Sequence, residues 1–268
     1  MNETSSAPSP KTDAELLLRR DEEAVAILTL NRPRQFNALS GGLLSALHAQ
    51  LDSIAADASV RVVVITGAGA AFCAGHDLKE MRGLATQGEI EALFAQCSAM
   101  MQKLIALPQP VIAAVNGLAT AAGCQLVAQC DLAVASADAR FAVSGINLGL
   151  FCSTPAVALS RNLGRKRAAE MLFTGDFIDA ETALDWGLVN RVVPAERVME
   201  ASRDLANHLV AKPRDSLAAG KALFYRQLEA GIASAYADAS RTIACNFAAP
   251  SAKEGVAAFL EKRPPNWK

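Results

Sequence analysis

Apolar positions along this chain follow two alternating patterns. Short β-branched or aliphatic runs, "AVAILTL" (24–30), "RVVVITG" (61–67), "PVIAAVNG" (110–117) and "CDLAVAS" (130–136), read as buried strands. Between them apolar residues recur at three-and-four spacing. Ser40 is placed to cap a helix with Leu44, Leu47, Leu51 and Ile54 on one face, and Ile90, Leu93, Phe94, Cys97, Met100, Met101, Leu104 and Ile105 mark a second. Strands alternating with helices predict an α/β protein with right-handed crossovers. From about Pro194 the strand signal stops, and "AERVMEASRDLANHLVAK", "SLAAGKALFYRQLEAGI" and "GVAAFLEKR" read as helices. Their apolar faces need a partner surface, either the core or another subunit. The expected division is a disordered tail over 1–15, a core over 16–205 and a C-terminal helical oligomerisation region over 206–268.

One interval stands apart: between Lys103 and Asp131 there is no charged residue. Pro108, Pro110, Asn116, Gly117, Gly123 and three glutamines interrupt it, so it reads as a buried strand followed by a buried helix, not a membrane span.

Composition narrows the classes. The 268 residues are 51% hydrophobic and 20% charged, with a formal net charge of -1, which fits a globular protein with a large core and gives no basic surface for nucleic acid. The six cysteines, Cys73, Cys97, Cys124, Cys130, Cys152 and Cys245, form no CxxC pair, so neither a metal site nor a disulfide framework is expected. The N-terminal "MNETSSAPSPKTDAE" is too acidic for a transit peptide and lacks the apolar stretch of a secretory signal, which points to a cytoplasmic protein.

Three loops after strands are rich in small residues: "GAGAAFCAGHDLKEM" (67–81), "NGLATAAGCQ" (116–125) and "GINLGLFCSTP" (145–155). Gly and Ala let backbone approach a ligand closely, and a loop entering a helix presents unpaired N–H groups suited to an anion. The same residues also serve close packing of helix on sheet.

"LNRPRQFNALS", "VVVITGAGAAFCAGHDLKEM", "PVIAAVNGLATAAGCQLVAQCDLAVAS", "RAAEMLFTGDFIDAETALDWGLVNRVVP" and "EGVAAFLEKRPPNW" occur in this order, and together they resemble the enoyl-CoA hydratase/isomerase (crotonase) superfamily from about residue 16 to the C-terminus. The resemblance implies a crotonase-like spiral of ββα units, a C-terminal helical trimerisation region and a homotrimer or dimer of trimers. It also implies an acyl-CoA ligand whose thioester oxygen is held by two backbone N–H groups. By motif position these belong to His76 and Ala122. Arg34 and Lys79 match positions near the nucleotide and phosphates, and Phe259 and Lys262 match residues that reach a neighbouring subunit's ligand. For these cations the alternative is solvated surface charge. No metal and no cofactor are implied beyond coenzyme A as part of the ligand, and no membrane partner.

In the hydratases of this family two glutamates share the acid/base work of adding water. Their positions fall here at Gln125 and Gly145, and neither residue exchanges a proton near neutral pH. General acid/base catalysis contributes ~10²–10⁴-fold per group, so little classical hydration is expected. The backbone oxyanion donors survive side-chain change. Asp77 is placed to cap the helix that begins at Leu78, and Cys152 and Ser153 are candidates for lining the acyl pocket. His48 and His208 fall on expected helices in surface or packing roles. Three hypotheses follow: an enolate-stabilising enzyme performing isomerisation, decarboxylation or thioester hydrolysis; a silent acyl-CoA binder; and a weak hydratase in which Gln125 holds water. Gln125→Glu with Gly145→Glu is expected to raise hydration if the scaffold is otherwise intact.

Overall fold

The computed structural model describes residues 15–267. The tail expected over residues 1–15 therefore lies, apart from Glu15, outside the described residues.

The chain opens with an antiparallel pair, β1 (Leu17–Glu22) and β2 (Val25–Leu30). It continues through helix α1 (Gly41–Ala56), strands β3 (Val62–Gly67) and β4 (Ala71–Cys73), and helices α2 (Leu78–Gly83) and α3 (Gln87–Ala106). Next come β5 (Val111–Val115), β6 (Leu118–Thr120), α4 (Ala122–Gln129), β7 (Leu132–Ser136) and β8 (Arg140–Ala142). After α5 (Ser153–Asn162), α6 (Arg165–Thr174), β9 (Ile178–Asp179), α7 (Ala180–Trp186) and β10 (Arg191–Val193), the remainder is helical: α8 (Val198–Val210), α9 (Arg214–Leu228), α10 (Ile232–Ala248) and α11 (Pro250–Leu260).

A six-stranded sheet has the order β1-β2-β3-β5-β7-β10, and a four-stranded sheet the order β4-β6-β8-β9. The pairs β3/β4, β5/β6 and β7/β8 each send their first strand to the large sheet and their second to the small one before a helix follows. This repeated ββα step is the spiral expected from the motifs. Within the large sheet side chains alternate as the pleat requires. Val63 and Ile65 face the main core with α1 and α3, whereas Val62, Val64 and Ile112 face Val198, Ala201 and Ala206 of α8. Both faces are covered, which is why these parallel strands read as continuous apolar runs.

Helix α8 thus packs on the sheet, and Arg203 holds Glu22 through two hydrogen bonds of 2.7 and 3.0 Å. The boundary expected at residue 206 falls inside this helix. The appended helices begin at Arg214, after the chain has left the sheet.

Asp131, the first charge after the uncharged run, is an anchor for α9. Its Oδ2 accepts from Lys221 Nζ (2.7 Å) and from the Val111 N–H (2.7 Å), and its Oδ1 accepts from Tyr225 (2.8 Å). Lys221 also donates to the carbonyls of Leu104 (2.8 Å) and Gln109 (2.9 Å), so all three of its protons are used. All six cysteines are free thiols, and only Cys245 is exposed. Burial pushes the thiols of Cys73, Cys97 and Cys124 up to about 12. No helix among the described residues is long and apolar enough to cross a membrane.

Candidate active site

Residues 74–77 leave the small sheet as an extended strip. The Leu39 N–H donates to Gly75 O (2.7 Å) and the Asp77 N–H to Leu39 O (3.1 Å). In such a parallel bridge the amide of the intervening residue points the other way. That residue is His76, and among the described residues no acceptor meets its N–H.

The strip is pressed against the start of α4. Gly75 has φ +91°, and a Cβ there would lie 2.9 Å from Ala121 Cβ, 3.0 Å from Thr120 O and 3.2 Å from Ala122 N. Only glycine allows that approach together with that φ. Thr120 Oγ1 donates to Ala74 O at 3.0 Å, tying the two segments together. Ala121, at φ 50° and ψ -118°, turns the chain into α4 in a conformation that strains a non-glycine residue by about 1–3 kcal/mol. Ala122 is the first helical residue and its N–H is likewise unclaimed among the described residues. The two amides assigned by motif position are thus both unclaimed and are carried by the two segments that meet at Gly75, with the positive end of the α4 dipole behind one of them.

Gln125 lies one turn along α4 from Ala122, on the same helix face. It is 4% exposed, and its Oε1 has no hydrogen-bond partner. Gly145 sits in a short 3-10 turn, and the Cβ it lacks would fall 2.7 Å from Cys152 Sγ and 2.8 Å from Leu150 O. The space beside the second glutamate position is thus filled by this loop's own atoms. Burial raises the Cys152 thiol above its ordinary value, partly offset by the Gly145 N–H donating to it. Cys124, also raised by burial, is close enough for Cys152 to push its thiol further up. Neither sulfur is poised as a thiolate.

The His76 ring packs edge-on against Phe94 of α3, centroids 5.0 Å apart, and its Nε2 is buried without a partner. Burial holds its pKa below the ordinary imidazole value. Asp77 caps α2, accepting from the Lys79 and Glu80 N–H groups, and pairs with Arg32 at 2.8 Å. Arg32 donates as well to the Ala38 carbonyl, at 2.5 Å. The Arg32 guanidinium, with the capped amides, holds the Asp77 carboxyl below the usual carboxylate range.

Arg34 and Lys79 are exposed, each two residues beyond a member of the Arg32–Asp77 pair. Ser153 is exposed, its hydroxyl on the Phe151 carbonyl at 3.3 Å. Phe259, 82% exposed, lies on α11, which packs chiefly on α10, and Lys262 lies just beyond the end of that helix.

Residues 20–268 match the Enoyl-CoA hydratase/isomerase family. The chain belongs to that family. It is 43% identical to enoyl-CoA hydratase domain-containing protein 3, mitochondrial, from Rattus norvegicus, over 96% of this chain and 86% of that protein. The crystal structure of human enoyl-CoA hydratase domain-containing protein 3 superposes with a TM-score of 0.89 at 42% identity, covering 94% of this chain and 100% of that one. The segments "AGHDLKE" (74–80) and "GLFCSTP" (149–155) both lie within the stretch matched to that protein. The crystal structure of an enoyl-CoA hydratase from Mycobacterium smegmatis superposes with a TM-score of 0.93 at 60% identity, covering 95% and 99% of the two chains.

Several residues that shape this family member's site carry no obvious sequence signal. Gly75, Thr120 and Ala121 act through a tertiary contact, and Phe94 reads only as a core position of α3. Arg32 was visible only as part of the "NRPR" motif, with nothing to announce its pairing to Asp77 across 45 residues.

Proposed function

We propose that the protein binds an acyl-CoA thioester with its carbonyl oxygen between the His76 and Ala122 amides, and that it stabilises enolate-type charge for a reaction other than addition of water. The observation that carries this reading is the pairing of two unclaimed amides across Gly75. Loss of one such donor from an oxyanion site lowers rate on the order of 10²–10³-fold, so the pair alone is a substantial catalytic asset. Against water addition stand the proton-inert Gln125 and the space beside Gly145 filled by Cys152 and Leu150. Isomerisation, decarboxylation and thioester hydrolysis remain the reactions to which such a site is suited, and silent binding is the alternative.

Coenzyme A enters as part of the ligand, with Arg34 and Lys79 as the cations for its phosphates. Ile232, Tyr236, Ile243 and Phe247 are exposed along α10, an apolar stripe that supports a homotrimer or dimer of trimers closing over Phe259 and Lys262 of a neighbour. The cytoplasmic placement rests on the acid-containing N-terminal composition, whereas the rat and human relatives are named mitochondrial.

The test pairs the loss of enoyl-thioester absorbance with crotonyl-CoA and the melting temperature across a panel of acyl-CoAs. Stabilisation without hydration is expected, about 2.7 kcal/mol at a ligand concentration of 100 Kd. Hydration at ordinary enzyme rates, the activity in the name of the M. smegmatis relative, would overturn the reading.

A further inference from the structure

The direction of the His76 N–H is set from the far side of its own peptide plane. A trans peptide points its carbonyl and its N–H in opposite directions, and the carbonyl of the Gly75–His76 unit accepts from the Leu39 N–H at 2.7 Å. Whatever holds Leu39 against the strip therefore aims the amide. Leu39 meets the strip in an isolated bridge, its own carbonyl accepting from the Asp77 N–H at 3.1 Å. A strand pairing this short is weak by itself.

Arg32 spans that bridge. One arm of its guanidinium donates to the carbonyl of Ala38, just before Leu39, and the other to Oδ2 of Asp77, just after His76. A single planar group thus grips both sides of the bridge. Each end of the grip is itself anchored. The Arg32 N–H donates to Asn37 Oδ1 at 2.9 Å, and Asn37, fully buried, donates from Nδ2 to the carbonyls of Ala68 (2.9 Å) and Ala71 (2.7 Å). Asp77 Oδ1 accepts from the Lys79 and Glu80 N–H groups, which seats the carboxylate on the first turn of α2. Capping α2 needs no arginine, since a carboxylate or amide at that position does it alone. The Arg32 and Asp77 side chains are each 15% exposed, so the pair is shielded from the water and salt that loosen a surface pair.

We propose that Arg32 and Asp77 are positioning residues for the His76 amide: the guanidinium fork locks the Leu39 segment to the strip and so fixes the line along which the N–H meets a thioester oxygen. The proposal rests on the thioester reading above. An oxyanion donor acts only when it is aimed, and a misplacement of about 1 Å in a reacting geometry can cost on the order of 10²-fold in rate. The pair works through the strip, and its effect is read on the ligand's carbonyl.

The experiment is infrared difference spectroscopy of the full-length protein saturated with butyryl-CoA carrying carbon-13 at its thioester carbonyl. Hydrogen bonds to the oxygen lower the carbonyl stretching frequency, and saturation removes any effect of affinity. In Asp77→Asn the new side chain still caps α2 while its NH2 group faces the guanidinium, so only the clamp is broken. In Arg32→Lys the charge stays and the fork is lost. Both variants are expected to return the frequency most of the way to that of free butyryl-CoA. Arg203→Met, which releases Glu22 and loosens α8 on the other face of the large sheet, is expected to lower the melting temperature and keep the wild-type frequency. A wild-type frequency in either clamp variant would overturn the proposal and leave thioester binding standing. So would loss of the shift in Arg203→Met, since general loosening would then account for it. If butyryl-CoA keeps its free frequency on the wild type, the reading beneath fails and this one fails with it.

Discussion

Cys152 Sγ lies 2.7 Å from the point at which Gly145 would carry a Cβ, and the Leu150 carbonyl closes the same point at 2.8 Å. A side chain at 145 must displace both. Gly145→Ala is expected to destabilise the protein by about 1–3 kcal/mol, with Cys152→Ala recovering only part, because the backbone carbonyl remains. Urea denaturation of the two single variants and the double variant measures this coupling. It follows that Gln125→Glu with Gly145→Glu does not restore hydration of crotonyl-CoA, since the scaffold around 145 is not the open one such a carboxylate needs. A gain in that assay would show that the 145–152 loop yields.

Gly75→Ala tests the contact between the two amides. Its φ of +91° and the 2.9 Å approach to Ala121 Cβ leave no room for a methyl group without parting the strip from α4. The expected outcome is a stability loss above about 1 kcal/mol and, at temperatures where the variant stays folded, loss of acyl-CoA-induced stabilisation. Retained stabilisation would mean the amide pair is not the binding determinant.

His76 gives a pH dependence whose sign is set by burial. Its folded pKa is lowered from 6.5, so the unfolded chain takes up a proton first as pH falls. Stability tied to the neutral ring is complete above the ordinary imidazole pKa and declines as pH drops below it. His76→Leu should flatten this part of the stability profile while the carboxylate-dependent acid limb remains. An unchanged slope between wild type and variant counts against a buried neutral His76.

In the Lys221–Asp131 pair the lysine is buried, the carboxylate is half-buried, and both are hydrogen-bonded. Lys221→Met leaves Asp131 with an uncompensated charge and should cost about 3–5 kcal/mol, whereas adding Asp131→Asn should return part of that loss. If Lys221→Met melts like wild type, α9 is held by its apolar contacts alone.

Much of this architecture was legible because local pattern and tertiary role agree. The apolar run of β3 is buried on both faces, Ser40 accepts from the Leu43 N–H as the cap of α1, and Asp77 caps α2. The strands of the small sheet were not foreseen, because β4, β6, β8 and β9 are two or three residues long, too short to show a period. Helix α10 escaped because its Ala- and Ser-rich stretch looks bland until Ile232, Tyr236, Ile243 and Phe247 are seen on one exposed stripe. Ile90, expected in the buried stripe of α3, is 38% exposed at the first turn of that helix, where no neighbour covers it. At the site, motif position named His76 and Ala122, but the meeting of the segments that carry them depends on Gly75 against Ala121 across 46 residues of chain, and no local signal encodes such a meeting.

Of the six cysteine sulfurs, five are shut inside the fold and one, Cys245, faces water. A thiol reagent added to the intact chain therefore finds a single fast-reacting group, and each further equivalent consumed records an opening of the structure. Cys73, Cys97, Cys124, Cys130 and Cys152 lie in or against the ββα spiral, so the order in which they become labelled maps which turn of it loosens first. The protein carries, without any added probe, a reporter of its own breathing around the candidate site.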